Sequence, residues 1–156
     1  MAPAKYEDAE PGDVVFLPEQ QPPPDSIIHE KLGANANQEP WGHPAVVTGK
    51  FLSGGKKCVS IRLCTSFGGK RIEAHRKPEH WGLFVLADND EDAKPQGFTR
   101  LATLVPGSGK FQKRTWVNLG WNSEYFIEFQ HLEAWGPTLI KFDAKSTQNI
   151  IACNPY

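Results

Sequence analysis

The chain lacks an excess of charge of either sign, since 17 basic and 18 acidic residues leave a formal net charge of -1. No global field draws it to nucleic acid or to an anionic membrane, so any such contact has to be local. No apolar run approaches the ~20 residues of a membrane helix, and a membrane partner is not expected. The opening residues, MAPAKYEDAEPGD, carry acids and no apolar core, so they do not read as a secretory signal. The expectation is an intracellular, cytoplasmic protein. Cysteine is scarce. Cys58, Cys64 and Cys153 show no metal-ligand spacing. Cys58 and Cys64 fall in one expected strand, which sets them ~20 Å apart at ~3.3 Å per residue. A disulfide needs Cα atoms within ~7 Å, so all three are read as reduced structural thiols.

What is present suits one domain spanning residues 1–156. Apolar residues make up 39% of the chain, and five Trp and nine Phe exclude global disorder. A chain of this length buries enough surface to fold without a metal or a disulfide. Fourteen Gly and thirteen Pro cut it into short segments, the mark of an all-β domain.

Asp13-Val14-Val15-Phe16-Leu17, introduced by Pro11-Gly12, reads as a buried strand. Residues 18–40 hold five prolines and read as a long extended loop of the kind that forms lids or binding loops. A strand begins at Pro44 or Ala45 and runs to Phe51. Ser53-Gly54-Gly55-Lys56 makes a turn. Lys57 to Thr65 then alternates, with Val59, Ile61, Leu63 and Thr65 on one face and Cys58, Ser60, Arg62 and Cys64 on the other. These two runs form a β-hairpin.

A short helix is expected around Arg71–Arg76, and strands at Trp81–Leu86, Phe98–Val105 and Arg114–Trp121. Ser123–Trp135 starts as a strand and then bends. The tail from Thr138 to Cys153 carries a short terminal helix. Six or seven short strands with little helix point to a small closed barrel or a compact sandwich.

Several motifs fail. Pro106-Gly107-Ser108-Gly109-Lys110 has Leu104 where a phosphate loop needs Gly, and Phe111 where it needs Ser or Thr, so it reads as a hairpin turn. His75 and His80 have no carboxylate or Cys to complete a metal set. Asp88, Asp90, Glu91 and Asp92 lack calcium-hand spacing and form a solvated loop. No Gly-x-Ser-x-Gly elbow occurs.

One constellation remains. His43 sits just before the Pro44-Ala45-Val46-Val47 strand, and Thr65-Ser66 end the next one. Lys70, Arg71, His75, Arg76 and Lys77 follow as five basic side chains within eight positions. The start of one antiparallel strand lies beside the end of the next, so His43 and Thr65/Ser66 are expected at one barrel mouth.

At this point the sequence resembles the PemK/MazF family of toxins, whose fold is a small SH3-like barrel. The family's opening Gly-Asp-hydrophobic-hydrophobic strand is matched by Gly12-Asp13-Val14-Val15. Its basic-Pro-Ala-hydrophobic-hydrophobic run is matched by His43-Pro44-Ala45-Val46-Val47, and its Thr-Ser strand end by Thr65-Ser66. Thr115-Trp116-Val117-Asn118-Leu119 is similar to its later apolar strand. The first three matches fall between Gly12 and Ser66.

The resemblance implies a metal-independent endoribonuclease cutting single-stranded RNA, with no cofactor and with dimerisation through the barrel. Carried over by position, the catalytic roles fall on His43, Thr65 and Ser66. His43 departs from the family, which has Arg there; Arg is always charged, whereas an imidazole titrates near ~6.5. The insert at 18–40 and the long tail are further departures. The chemistry is coherent: attack by a 2′-hydroxyl needs a base, a cation for the phosphorane oxygens and an acid for the leaving 5′-oxygen. His43 supplies base or acid. Arg62, Lys70 or Arg71 supplies the charge. Trp41 and Trp81 offer stacking surfaces for unpaired bases, and Trp121 and Trp135 offer a dimer contact.

The competing reading is a non-catalytic barrel module that binds a protein or peptide, with the Pro-rich loop over its groove. On it His43 caps a strand, Arg62 faces water beside Ser60, and the basic loop is merely solvated.

Overall fold

A computed structural model describes residues 5–32, 40–67, 72, 76–88, 99–120 and 123–156. The fold is mainly β. Its strands are β1 (Val14–Leu17), β2 (His43–Ser53), β3 (Lys56–Thr65), β4 (Phe84–Asp88), β5 (Leu101–Thr103), β6 (Trp116–Asn118), β7 (Glu124–Glu128) and β8 (Glu133–Ala134). Two helices join them, α1 (Ile28–Leu32) and α2 (Ala144–Ile151). The strands lie in the order β5-β4-β6-β3-β2-β1-β8, with β7 also on β3. Among the described residues only β4 and β5 pair in parallel; the other ladders are antiparallel. The expected closed barrel is not formed. The sheet stays open, with very short strands at both ends, which limits the exposed edge.

The β2–β3 hairpin forms as its alternation demands. Ser53 pairs with Lys56 across Gly54-Gly55. Both turn residues have positive φ, +57° and +78°, the conformation that lets a two-residue turn follow the strand twist. A bulge at Thr48 shifts the register once, and Thr48 Oγ1 donates to Ser60 Oγ at 2.8 Å.

Both faces of this hairpin are buried. Val15, Leu17, Ala45, Val47, Val59 and Ile61 face one core, together with Tyr125, Ile127 and Leu132. Val14, Val46, Cys64, Val85 and Val117 face a second core, with Phe142 and Ile150. Neighbouring residues such as Val46 and Val47 thus feed opposite cores, which explains the unbroken apolar runs in β1 and β2. Cys58 and Cys64 are buried, and Arg62, which shares their face and is expected to meet phosphate or water, is buried with them. Burial pushes the Cys64 thiol up to about 12 and the Cys58 thiol upward, so both are inert structural groups.

Each core has its own roof. Residues 18–32 cover the first core. Ile28 is fully buried there, and Glu128 accepts hydrogen bonds from the Ile27 amide (3.0 and 3.2 Å) and from Ser26 Oγ (3.3 Å). Burial tends to raise the Glu128 carboxyl. Bonds from Ser26 and Ile27, aided by His131 3.8 Å away, outweigh burial and hold it below the usual carboxylate range. The segment expected as a plain extended loop therefore carries a helix and a polar clasp.

The tail covers the second core. Asp143 caps α2 by accepting from the Ser146 amide at 2.7 Å. Ser146 Oγ in turn accepts from the Thr103 amide of β5 at 2.8 Å, and Ile150 points into the core. The terminal helix expected from the sequence is present. Asp13 of the Gly-Asp pair is 4% exposed and is fastened to Lys141 at 3.0 Å and to the Glu10 amide at 3.0 Å.

The strand expected at Trp81–Leu86 begins only at Phe84, because Pro78–Leu83 forms a 3₁₀ turn. After β7 the chain bends through a 3₁₀ turn at Phe129–His131 and resumes as β8, as the mixed periodicity of that stretch suggests. The helix expected around Arg71–Arg76 lies largely outside the described residues. Among the described residues no helix is long and apolar enough to cross a membrane.

Candidate functional site

His43 is the first residue of β2 and Thr65 the last of β3. The β2–β3 ladder ends at Ala45 and Leu63, two residues short of His43 on one strand and of Thr65 on the other. On its other side His43 pairs with Leu17 of β1. Ala45, Val47, Val59 and Ile61 share the first core, so alternation puts His43 and Thr65 on that same face, at its rim. Both side chains and that of Ser66 are half-buried. Among the described residues the His43 ring has no hydrogen-bond partner.

The chain turns sharply after Ser66. Phe67 has φ +49°, and its amide points at Thr65 Oγ1 across 3.4 Å. The Phe67 ring packs on Phe84 and Trp116, with centroids 5.3 and 5.2 Å away. The Arg76 guanidinium carbon lies 5.0 Å from the Phe67 centroid and 5.6 Å from that of Phe84. A cation is thus held over an aromatic ring two residues beyond Thr65.

Trp41 packs against the first core two residues before His43. Its ring lies 6.3 Å from that of His29. His29 Nε2 meets the carbonyls of Pro22 and Pro23 at 3.3 and 3.0 Å; carbonyls only accept, so this nitrogen carries the proton. The Glu19 side chain lies against Gly42, where a Cβ would come within 2.9 Å of Glu19 Cγ. The Pro-rich segment therefore brings a second imidazole and a carboxylate toward the mouth. Neither was legible in the sequence. The only signal was the Ile27-Ile28 pair in an otherwise polar stretch, which marks an anchor point.

Arg62 is not on the surface. It is 5% exposed, and Nη1 donates to Gly120 O at 2.9 Å and, over 3.4 Å, to Asn118 O and Ser123 Oγ. Glu124 lies 3.9 Å from Nη2. The reason is topological. The outer edge of β3 pairs with β7 up to Arg62 and with β6 from Cys64. Arg62 fills the split and satisfies the carbonyls that end β6, so it braces the sheet rather than facing a phosphate. Trp81 belongs to the cluster of Ile72, Phe84, Leu86 and Trp116, and its Nε1 donates to Arg76 O at 3.0 Å. It is half-buried, so one edge at most is open to a base. Lys70, Arg71, His75 and Trp121 lie outside the described residues. Among the described residues no three His, Cys, Asp or Glu side chains gather as a metal site.

The neighbouring ends of β2 and β3 thus carry His43, Thr65 and Ser66, with Trp41 two residues before His43 and Arg76 over the Phe67 ring. They can transfer a proton, donate hydroxyl hydrogen bonds and present an indole. Compared with known protein families, curated proteins and solved structures, the chain matches none of them.

Proposed function

We propose that the protein binds single-stranded RNA at the His43–Thr65–Ser66 mouth and cuts it without a metal ion, as the PemK/MazF resemblance implies. The observation that supports this reading is the hairpin itself, whose adjacent antiparallel strands begin with His43 and end with Thr65. His43 takes the 2′-hydroxyl proton or protonates the leaving 5′-oxygen. The hydroxyls of Thr65 and Ser66 hold a phosphate oxygen, and Trp41 stacks a neighbouring base. Arg76 takes the charge-stabilising role given to Arg62 on sequence grounds, since Arg62 is committed to the sheet. An RNA substrate of this kind places the activity in the cytoplasm.

The test is incubation of the full chain with unstructured RNA in EDTA. The wild type cuts, and His43→Ala loses on the order of 10²–10⁴ in rate, the usual share of acid–base catalysis. His43→Arg separates the two roles of the position. It keeps RNA retention but loses the acid–base contribution. Absence of both cutting and salt-dependent RNA retention by the wild type would defeat the proposal.

The second reading, a non-catalytic module for a protein or peptide, has its own support. Phe51 and Phe126 pack edge-to-face at 5.9 Å, and Phe126 is 42% exposed. An apolar patch of this kind suits a protein contact. On this reading His43→Ala changes neither RNA retention nor partner binding, while Phe126→Asp abolishes the latter.

A further inference from the structure

Trp135 follows β8 and stands between two clefts. Its ring is stacked on Phe16, with centroids 4.7 Å apart and planes 19° from parallel, so its orientation is set before any ligand arrives. The smaller cleft, about 230 Å³, is lined in part by Lys5, Asp8 and Asp13. The larger, about 570 Å³, is lined by Lys110, Gln112, Trp135, Pro137, Thr138 and neighbouring backbone, with no carboxylate. Its size falls within the ~300–1,000 Å³ of ordinary ligand sites.

The walls of the larger cleft are fixed. Gly109 donates its amide to Leu139 O at 2.8 Å, and a Cβ at Gly109 would come within 2.3 Å of Thr138 O. Ser108 Oγ donates to Gly109 O and accepts from the Lys141 amide, at 2.8 and 2.9 Å. The Gly-Ser-Gly-Lys turn that fails as a phosphate loop is thus sewn to the segment before α2. With the Gly109 amide already used, the backbone offers no polyphosphate cradle. The side chain of Lys110 remains as a single ammonium at the rim.

A flat, pre-oriented indole, one ammonium, one amide side chain and no acid together select a planar ring joined to one negative charge. We infer that this cleft holds one nucleotide unit of single-stranded RNA, its base on Trp135, its base edge at Gln112 and its phosphate at Lys110. The inference rests on the RNA-binding reading and adds a second contact to it. Phe16, on which Trp135 leans, pairs with Pro44 next to His43, but Trp135 packs on the second core whereas His43 falls on the first-core face, so an RNA strand that uses both passes round the end of the sheet. The smaller cleft that Trp135 also lines sets Asp8 against Lys5, and its Asp13 is already paired with Lys141, so it offers no surplus cation.

The experiment measures binding of a fluorescent oligouridylate to the full chain across a salt series, with the Trp135 indole N–H followed by NMR. Lys110→Gln weakens binding about three- to tenfold at low salt and flattens the salt slope by about 0.7, the single-strand value for one lost phosphate contact. Trp135→Phe keeps a ring on Phe16 and lowers affinity by less than the about 5- to 150-fold that loss of a base platform brings. The Trp135 signal moves on titration. Oligouridylate binding that neither variant alters, with a still Trp135 signal, overturns the cleft while the RNA reading stands. No retention of oligouridylate, with 5′-UMP still moving the Trp135 signal, removes the RNA reading and the chain-binding role but keeps a nucleotide cleft. Movement by a proline-rich peptide and by neither nucleotide probe overturns the inference.

Discussion

The two roofs of the sheet do one job by different means. Residues 18–32 shield the first core with a five-residue helix, one buried apolar anchor at Ile28 and a carboxylate clasp from Glu128. The tail shields the second with an eight-residue helix, an anchor at Ile150 and a cap made by its own Asp143. A helix as short as α1 cannot persist alone, because nucleation costs more than so few bonds return. It is held because Glu128, about a hundred positions along the chain, accepts from the Ile27 amide and Ser26 Oγ at its entrance. The tail helix is written locally, with cap and apolar anchor in one short segment. The lesson is that the first roof depends on tertiary contacts and can be loosened separately. It is also the roof that carries His29 toward the mouth.

The largest expected effects come from the anchors. Ile28→Ala and Ile150→Ala should each cost about 2–5 kcal/mol in urea unfolding, the range for truncating a fully buried Ile. Hydrogen exchange should separate them. Ile28→Ala should free the amides of 26–30 while α2 stays protected, and Ile150→Ala should do the reverse. Equal loosening of both segments by either variant would show that the roofs are one cooperative unit.

Next comes the clasp. Glu128→Ala leaves the Ile27 amide and Ser26 without their acceptor, at a cost of about 1–3 kcal/mol. The Glu128 carboxyl is held below its ordinary value in the folded chain. Its contribution is therefore complete above the unfolded carboxylate range and is lost as pH falls through the folded value. Exchange at the Ile27 amide should accelerate in acid, and Glu128→Gln should remove most of that dependence. Because this roof borders the mouth, Glu128→Ala should also change the affinity for single-stranded RNA. An unchanged affinity with a visibly loosened 26–30 segment would separate the roof from the site.

These contrasts mirror what could be read without coordinates. The hairpin was legible because alternation in its second strand and a Gly-Gly turn fix register locally, although its first strand begins at His43, ahead of the expected Pro44 or Ala45. The tail helix was legible for the same local reason. Helix α1 was not, since five residues among prolines give no period. Arg62 was misplaced because alternation reports which residues share a face, not whether that face meets water. Its burial follows from β3 exchanging β7 for β6, a long-range event. Trp81 was read as strand because an apolar run bounded by Gly has the same composition whether it pairs or turns. The open sheet was hidden too, since closure depends on how the terminal strands meet, and β5 and β8 are too short to announce themselves.

The smallest effect sharpens the comparison most. Asp143→Ala removes one acceptor from the first turn of α2 and should cost about 0.5–2 kcal/mol, as caps of this kind do. The Ser146 amide loses its partner, but Ser146 Oγ still meets Thr103 and Ile150 still fills the core. The helix should fray at its first turn and survive beyond it, visible as faster exchange at Ser146 with protection retained at Ile150. Oligonucleotide affinity should be unchanged, since α2 touches neither the mouth nor the Trp135 cleft. If losing this cap melts all of α2, the tail is no more self-sufficient than the clasped roof, and the distinction between a local and a tertiary helix fails for this fold.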